Sequence, residues 1–267
     1  MKSANAPPKA RQYIEHLVEG GQYSFTSREA RLWLRVSDNA SKLALNRMAK
    51  RRLIASPARG FYVIVPPEYR SLGSPPADQF IPALMEHLEL PYYVGLLSAA
   101  QYYGAAHQRP QEFQVFIDKK RRPITCGMVR VSFIVRKRAR DVPVQTFNTP
   151  RGTLRVSTPE ATALDLVGYQ HHAGGLDLVS TVLTELAERI DSNKLPTAAV
   201  SAPIAWSQRL GYLLERVGAG AKASGLRPYV RTHAEEWTAL LPKGSLQNAL
   251  RNEDWKVYVN AEVETDL

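Results

Sequence analysis

Thiol chemistry is nearly absent from this chain of 267 residues. Cys126 is its single cysteine, which excludes an intrachain disulfide and a thiolate cluster for zinc. A reducing, cytoplasmic setting is expected. Long apolar runs are absent too: no stretch reaches the roughly 18 to 20 residues needed to span a bilayer. The opening MKSANAPPKARQYIEHL lacks the apolar core of a signal peptide, so no membrane partner is expected. There is no fixed-period repeat and no low-complexity tract.

Catalytic signatures are missing as well. The chain has no G-x-S-x-G elbow, no H-E-x-x-H helix and no Walker loop. Gly218-Ala-Gly220-Ala-Lys-Ala223 follows a predicted helix where a dinucleotide fingerprint requires a strand, so it reads as a helix terminus. His171-His172 are adjacent and have no third ligand at a useful spacing. Glu235-Glu236 and Glu253-Asp254 are consecutive pairs that cannot face each other for acid–base work. Gly174-Gly175-Leu176-Asp177 resembles a fragment of a nucleotidyltransferase turn, but residue 179 is Val, so the second magnesium carboxylate is lacking. The expectation is a non-enzyme with no metal and no cofactor. Its rival is a nucleic-acid-processing enzyme, a nuclease or nucleotidyltransferase, with a DNA-binding front end.

Acidic residues are outnumbered, 25 Asp and Glu against 35 Lys and Arg, for a net charge of +10 and a pI near 9.7. A polyanionic partner suits such a balance. Residues 1–70 hold 13 basic against 5 acidic residues, residues 71–140 hold 10 against 5, and residues 141–267 hold 12 against 15. The positive charge is therefore concentrated at the front.

That front end contains TSREARLWLRVSDNASKLALNRMAKRRLIASPARGFYVIV, residues 26 to 65. Thr26 with Glu29 three residues on is a capping box, which predicts a helix over Ser27–Leu34. Ser37 caps a second helix to about Arg51 after a short turn, which is helix-turn-helix spacing. Ala40, Ala44, Leu45 and Met48 fall on one side of it, and Asn39, Lys42, Asn46 and Lys50 on the other. Lysine can meet phosphates or guanine edges, and asparagine can pair with adenine in the major groove. A solvated polar face has the same spacing. Leu53–Ser56 and Phe61–Val65 read as strands joined by Pro57-Ala58-Arg59-Gly60, like the wing of a winged helix-turn-helix, with Arg59 at the tip. Ala10–Val18 forms a supporting helix ended by Gly20-Gly21, and Met1–Lys9 a loose arm whose two lysines can touch phosphates.

At 44% hydrophobic composition the chain can bury a substantial core, and two domains are expected. The fold class is α+β: an N-terminal winged helix-turn-helix over 1–70, a linker SLGSPPAD over 71–78, and a larger mixed domain over 79–267 whose helices surround a small, mainly antiparallel sheet. Helices are predicted from about 79 to Leu90, over 92–105, 159–167, 175–190 and 205–217. Strands are predicted at Phe113–Ile117, Val129–Phe133 and the start of 151–157, with WKVYVN as a final strand before the acidic AEVETDL. Basic runs at 119–122 and 136–140 can extend a nucleic-acid surface, bind RNA, meet an acidic protein, or be solvated loops.

Three stretches taken together resemble the AbiEi family, antitoxins and transcriptional autoregulators of abortive-infection (type IV) toxin–antitoxin systems. They are LNRMAKRRLIASPARGFYVIVP at 45–66, YYVGLLSAAQYYGAAHQRP at 92–110 and RGTLRVSTPEATALDLV at 151–167. The resemblance implies a repressor that binds double-stranded DNA at inverted repeats in its own promoter, with two copies per operator. It also implies a C-terminal domain that counters a cognate nucleotidyltransferase toxin without requiring a stable complex, in phage defence. It supplies no catalytic residues. By position, Ser37, Asn39, Lys42, Asn46, Arg47 and Lys50 match the DNA-facing helix and Arg59 the wing tip, and Arg28 joins this set.

Overall fold

The computed structural model describes residues 10–105 and 111–263. The arm expected over Met1–Lys9, residues 106–110 of the second motif and residues 264–267 of the acidic end lie outside the described residues. Ten α-helices and twelve strands occur among the described residues, a mixed α/β architecture. The chain divides into two compact units. The first takes the described residues up to Pro91, then Lys120–Phe133 and Phe147–Leu154; the second takes Tyr92–Lys119, Ile134–Thr146 and the chain from Arg155 onward.

The first unit begins with α1 (Ala10–Glu19), which buries Tyr13 and Leu17 four residues apart. Gly21 ends it in the left-handed conformation (φ 70°), and the Gln22 amide returns to the Leu17 carbonyl. Strand β1 (Ser24–Thr26) leads into α2 (Ser27–Leu34) and α3 (Asp38–Lys50). Strands β2 (Ile54–Ala58) and β3 (Phe61–Ile64) complete an antiparallel sheet in the order β1-β3-β2. The loop of this hairpin is shorter than the sequence reading expected. Pro57 lies inside β2, where the register slips between Ala55 and Ala58, and an edge strand can accommodate its missing amide. Tyr13, Phe25, Leu34, Leu45, Ile54 and Ile64 pack together as the core.

Residues 71–78, read in the sequence as a spacer, are packed within this unit: Ser74 and Ala77 are buried, and the Met128 amide donates to the Leu72 carbonyl at 2.8 Å. Gly127 (φ 59°) is needed there, because a Cβ would collide with the Leu72 carbonyl. Helix α4 (Ile81–His87) follows, with Phe80 and Leu84 buried as the periodicity predicts.

In the second unit, residues 92–105 are not one helix as expected. Tyr92–Val94 form strand β4, and only Leu96–Tyr102 are helical, as α5. Two aromatics and a valine suit a pleated surface, and Gly95 separates the two elements where a Cβ would strike the Phe116 ring. Strand β5 (Phe113–Ile117) pairs antiparallel with β4 through Tyr93 and Phe116. Strands β6 (Ile124–Cys126) and β7 (Val129–Val135), which up to Phe133 belong to the first unit, form a hairpin; β6 was not anticipated. After β8 (Val144–Thr149), also unanticipated, β9 (Gly152–Ser157) pairs parallel with β4 at Val94 and Val156.

Thr158 caps α6 (Pro159–Gly168), with Pro159 in the first turn. Every residue from Glu160 to Val167 is buried, so α6 is a central helix packed on all sides rather than an amphipathic one. Around it come α7 (Leu176–Leu186), α8 (Leu195–Ala199), α9 (Ile204–Arg216) and α10 (Leu226–His233). A small last sheet contains β10 (Thr238–Ala239), β11 (Leu250–Asn252) and β12 (Val257–Val259), in the order β10-β12-β11. Trp255 is fully buried against Gly211 of α9, where any side chain would meet the indole.

Candidate nucleic-acid interface

Local chemistry sets the geometry of α2 and α3. The Thr26 hydroxyl accepts the Glu29 amide at 3.2 Å, and the Glu29 carboxylate accepts the Thr26 amide at 2.6 Å. This closes the capping box that the sequence predicted. Arg35 takes the left-handed conformation (φ 53°) and turns the chain, and Ser37 accepts the Ala40 amide to start α3. Arg31 and Asp38 form an ion pair at 2.7 Å.

The buried face of α3 is Ser41, Leu45 and Met48. Ala40, expected on that face, is exposed, and Ser41 takes the packed position; the packed face is centred about 40° further round the helix than the sequence reading placed it. Asn39, Lys42, Asn46 and Lys50 are all exposed and share one stripe, with exposed Arg47 on its flank. Leu43, 57% exposed, lies inside that stripe, whereas Leu45 is buried at 1%.

Arg28 is exposed in the first turn of α2. Arg59 is exposed in the two-residue turn Arg59-Gly60, with Gly60 at φ 78°. The Ser27 amide donates to the Gly60 carbonyl at 2.8 Å, so the residues beside that bond, Arg28 and Arg59, are held at one edge. The Ser56 hydroxyl bonds the carbonyls of Ala58 and Phe61 and braces the hairpin. Ser37 is exposed, but its hydroxyl is already committed to the helix start.

Arg151, from a segment the sequence assigned to the other domain, also belongs to the first unit. Its guanidinium donates to the Ile64 carbonyl at 3.2 Å and stacks 4.4 Å from the Tyr23 ring centroid. Burial holds its pKa below the usual arginine value.

The two basic runs differ. Lys119, Lys120 and Arg122 are exposed, and Arg121 lies over the Phe133 ring at 5.6 Å. In the second run, Arg136 is only 2% exposed. It forms an ion pair with Asp165 of α6, which is itself fully buried. Arg136 also donates to the carbonyl and hydroxyl of Ser201 and lies 5.0 Å from the Trp206 ring. The Tyr93 hydroxyl donates to the second Asp165 oxygen at 2.8 Å, and burial pushes that phenol far above its ordinary pKa. This network gives the buried Asp165 carboxylate its partners. The remaining charges of the run are Lys137, Arg140 and Arg138, the last paired with Asp141 at 2.7 Å.

His171 and His172 have ring centroids 4.2 Å apart, and burial together with the neighbouring imidazole lowers the His172 pKa. Among the described residues, no three His, Cys, Asp or Glu side chains converge as a metal-ligand set. No helix among them is long and apolar enough to cross a membrane.

Compared with known proteins, residues 93–216 match the family model of the AbiEi antitoxin C-terminal domain. No curated protein matches the chain significantly. Among solved structures, the crystal structure of the RV2827C protein from Mycobacterium tuberculosis is similar with a TM-score of 0.66. That match covers 100% of this chain and 96% of the other at 16% identity, a likeness of fold alone.

Proposed function

We propose, from the match of residues 93–216 to the AbiEi antitoxin C-terminal domain, that this chain pairs an antitoxin with a DNA-binding repressor of its own operon. In this reading residues 1–70 are a winged helix-turn-helix, α3 is the recognition helix and the β2–β3 hairpin is the wing. The operator is an inverted repeat in the promoter, engaged by two copies, because a two-fold site needs two recognition helices. The functional partner is a nucleotidyltransferase toxin, and the role is non-catalytic.

One observation carries the DNA reading: Asn39, Lys42, Asn46 and Lys50 are exposed together while Ser41, Leu45 and Met48 anchor the opposite side of α3. That division lets the helix enter a major groove without uncovering its core. Arg28 and Arg59 supply cations at the edge where a phosphate backbone would pass. The charge excess of residues 1–70 supports the same partner.

A genetic experiment separates the two activities. Changing the exposed Asn39, Lys42, Asn46 and Lys50 to alanine should abolish repression of a promoter reporter while leaving measurable protection when the toxin is co-expressed. Retained repression in that variant would reject the assignment.

A further inference from the structure

Helix α3 has a third face. Residues 44, 47, 48 and 51 are centred roughly 145° around the helix from the Asn39–Lys50 stripe, at about 100° per residue. This face and α1 line a groove of about 890 Å³ within the first unit. Its apolar lining includes Ile14, Met48 and Leu53, and Arg11, Arg47, Arg51 and Arg70 stand around it. Glu15 is the one carboxylate in the lining, and it is engaged by Arg11 at 3.0 Å. Among the described residues, Arg47, Arg51 and Arg70 have no carboxylate partner, and all three are exposed.

Unpaired cations around an apolar floor complement one chemistry in particular, a segment that carries carboxylates beside an apolar stripe. From Ala44 to Arg51 the floor follows about two helical turns, roughly 10 Å, which a short helix can cover. An enclosed small ligand fits less well, since such ligands bury about 70–90% of their surface and the rim arginines here are exposed. We propose that this groove docks an acidic amphipathic segment of a partner protein, with apolar side chains on Ile14, Met48 and Leu53 and carboxylates on Arg47, Arg51 and Arg70. The site is independent of the DNA stripe except at Arg47, which lies between the two faces.

The test uses the full chain and a fluorescein-labelled synthetic peptide of about twelve residues, with Leu along one helical stripe and Glu elsewhere. Two control peptides replace Leu by Ser or Glu by Gln. Anisotropy titrations should give saturable binding of the Glu/Leu peptide, about tenfold tighter than either control, and about tenfold weaker in R51E/R70E. Both substituted positions are exposed, so the fold should persist. Amide chemical-shift changes on the unaltered chain should independently centre on residues 10–15 and 44–53. Equal binding of the Glu/Ser control, an R51E/R70E titration that matches the unaltered chain, or shifts confined to other residues would overturn the proposal. So would full displacement by a random-sequence duplex, because the arginines would then be phosphate contacts.

Discussion

Replacing Asp165 by Asn should be among the most destabilising single changes available in the second unit. The substitution keeps shape and leaves an acceptor for the Tyr93 hydroxyl, but it removes the charge that faces Arg136. Arg136 would then stay buried without a counter-charge, with the two Ser201 oxygens at 3.2 and 3.3 Å, the Tyr93 hydroxyl and the Trp206 face around it. Breaking a buried pair from one side costs about 3–5 kcal/mol, because the remaining ion keeps its desolvation penalty. At about 2–4 °C per kcal/mol for a chain of this size, the melting temperature should fall by roughly 6–20 °C. Urea unfolding followed by tryptophan emission reads this directly, since Trp206 lies on the guanidinium. The double replacement R136M/D165L removes both charges and should recover to within about 1–2 kcal/mol of the original chain. A cost below about 1 kcal/mol for Asp165→Asn, or a double variant no better than the single one, would refute the reasoning.

In the first unit, Thr26→Ala removes the hydroxyl that accepts the Glu29 amide, leaves the Thr26 amide on the Glu29 carboxylate, and should cost about 1 kcal/mol in denaturant unfolding; Thr26→Ser should recover most of it. Alkaline stability should report Tyr13, whose phenol is pushed up to about 12, first by burial and second by the Glu29 charge. The folded value lies above the unfolded value of 10, so the contribution is complete below pH 10 and is lost as pH rises from 10 towards 12. Tyr13→Phe should flatten the stability profile in that window. A slope identical to that of the unaltered chain would locate the titrating group elsewhere.

The helices of the front end were legible because their signals are local. Thr26 with Glu29, and Ser37 before Asp38, announce helix starts within a few residues, and the structure closes both caps. The packed edge of α3 was less legible: alanine at 40 and serine at 41 are both small, and only packing decides that Ser41 turns inward. Tyr92–Val94 were read as helical because an apolar run carries no period of its own; their strand identity depends on β5 and β9, distant in the chain. Arg136 looked like part of a solvated charge run, since nothing near it reveals Asp165. The groove was not legible for the same reason, because Arg11 and Arg70 line it together with α3 only after folding.

The central claim, that α3 lays its exposed stripe on duplex bases, is tested most directly by titrating the full chain with a promoter duplex that contains the inverted repeat. Asn39, Lys42, Asn46 and Lys50 are exposed, so changing all four to alanine should leave the fold intact. At about 1–3 kcal/mol per base contact, affinity for the repeat should fall at least a hundredfold, towards that for random DNA. Undiminished affinity of the quadruple variant for the repeat would contradict the account.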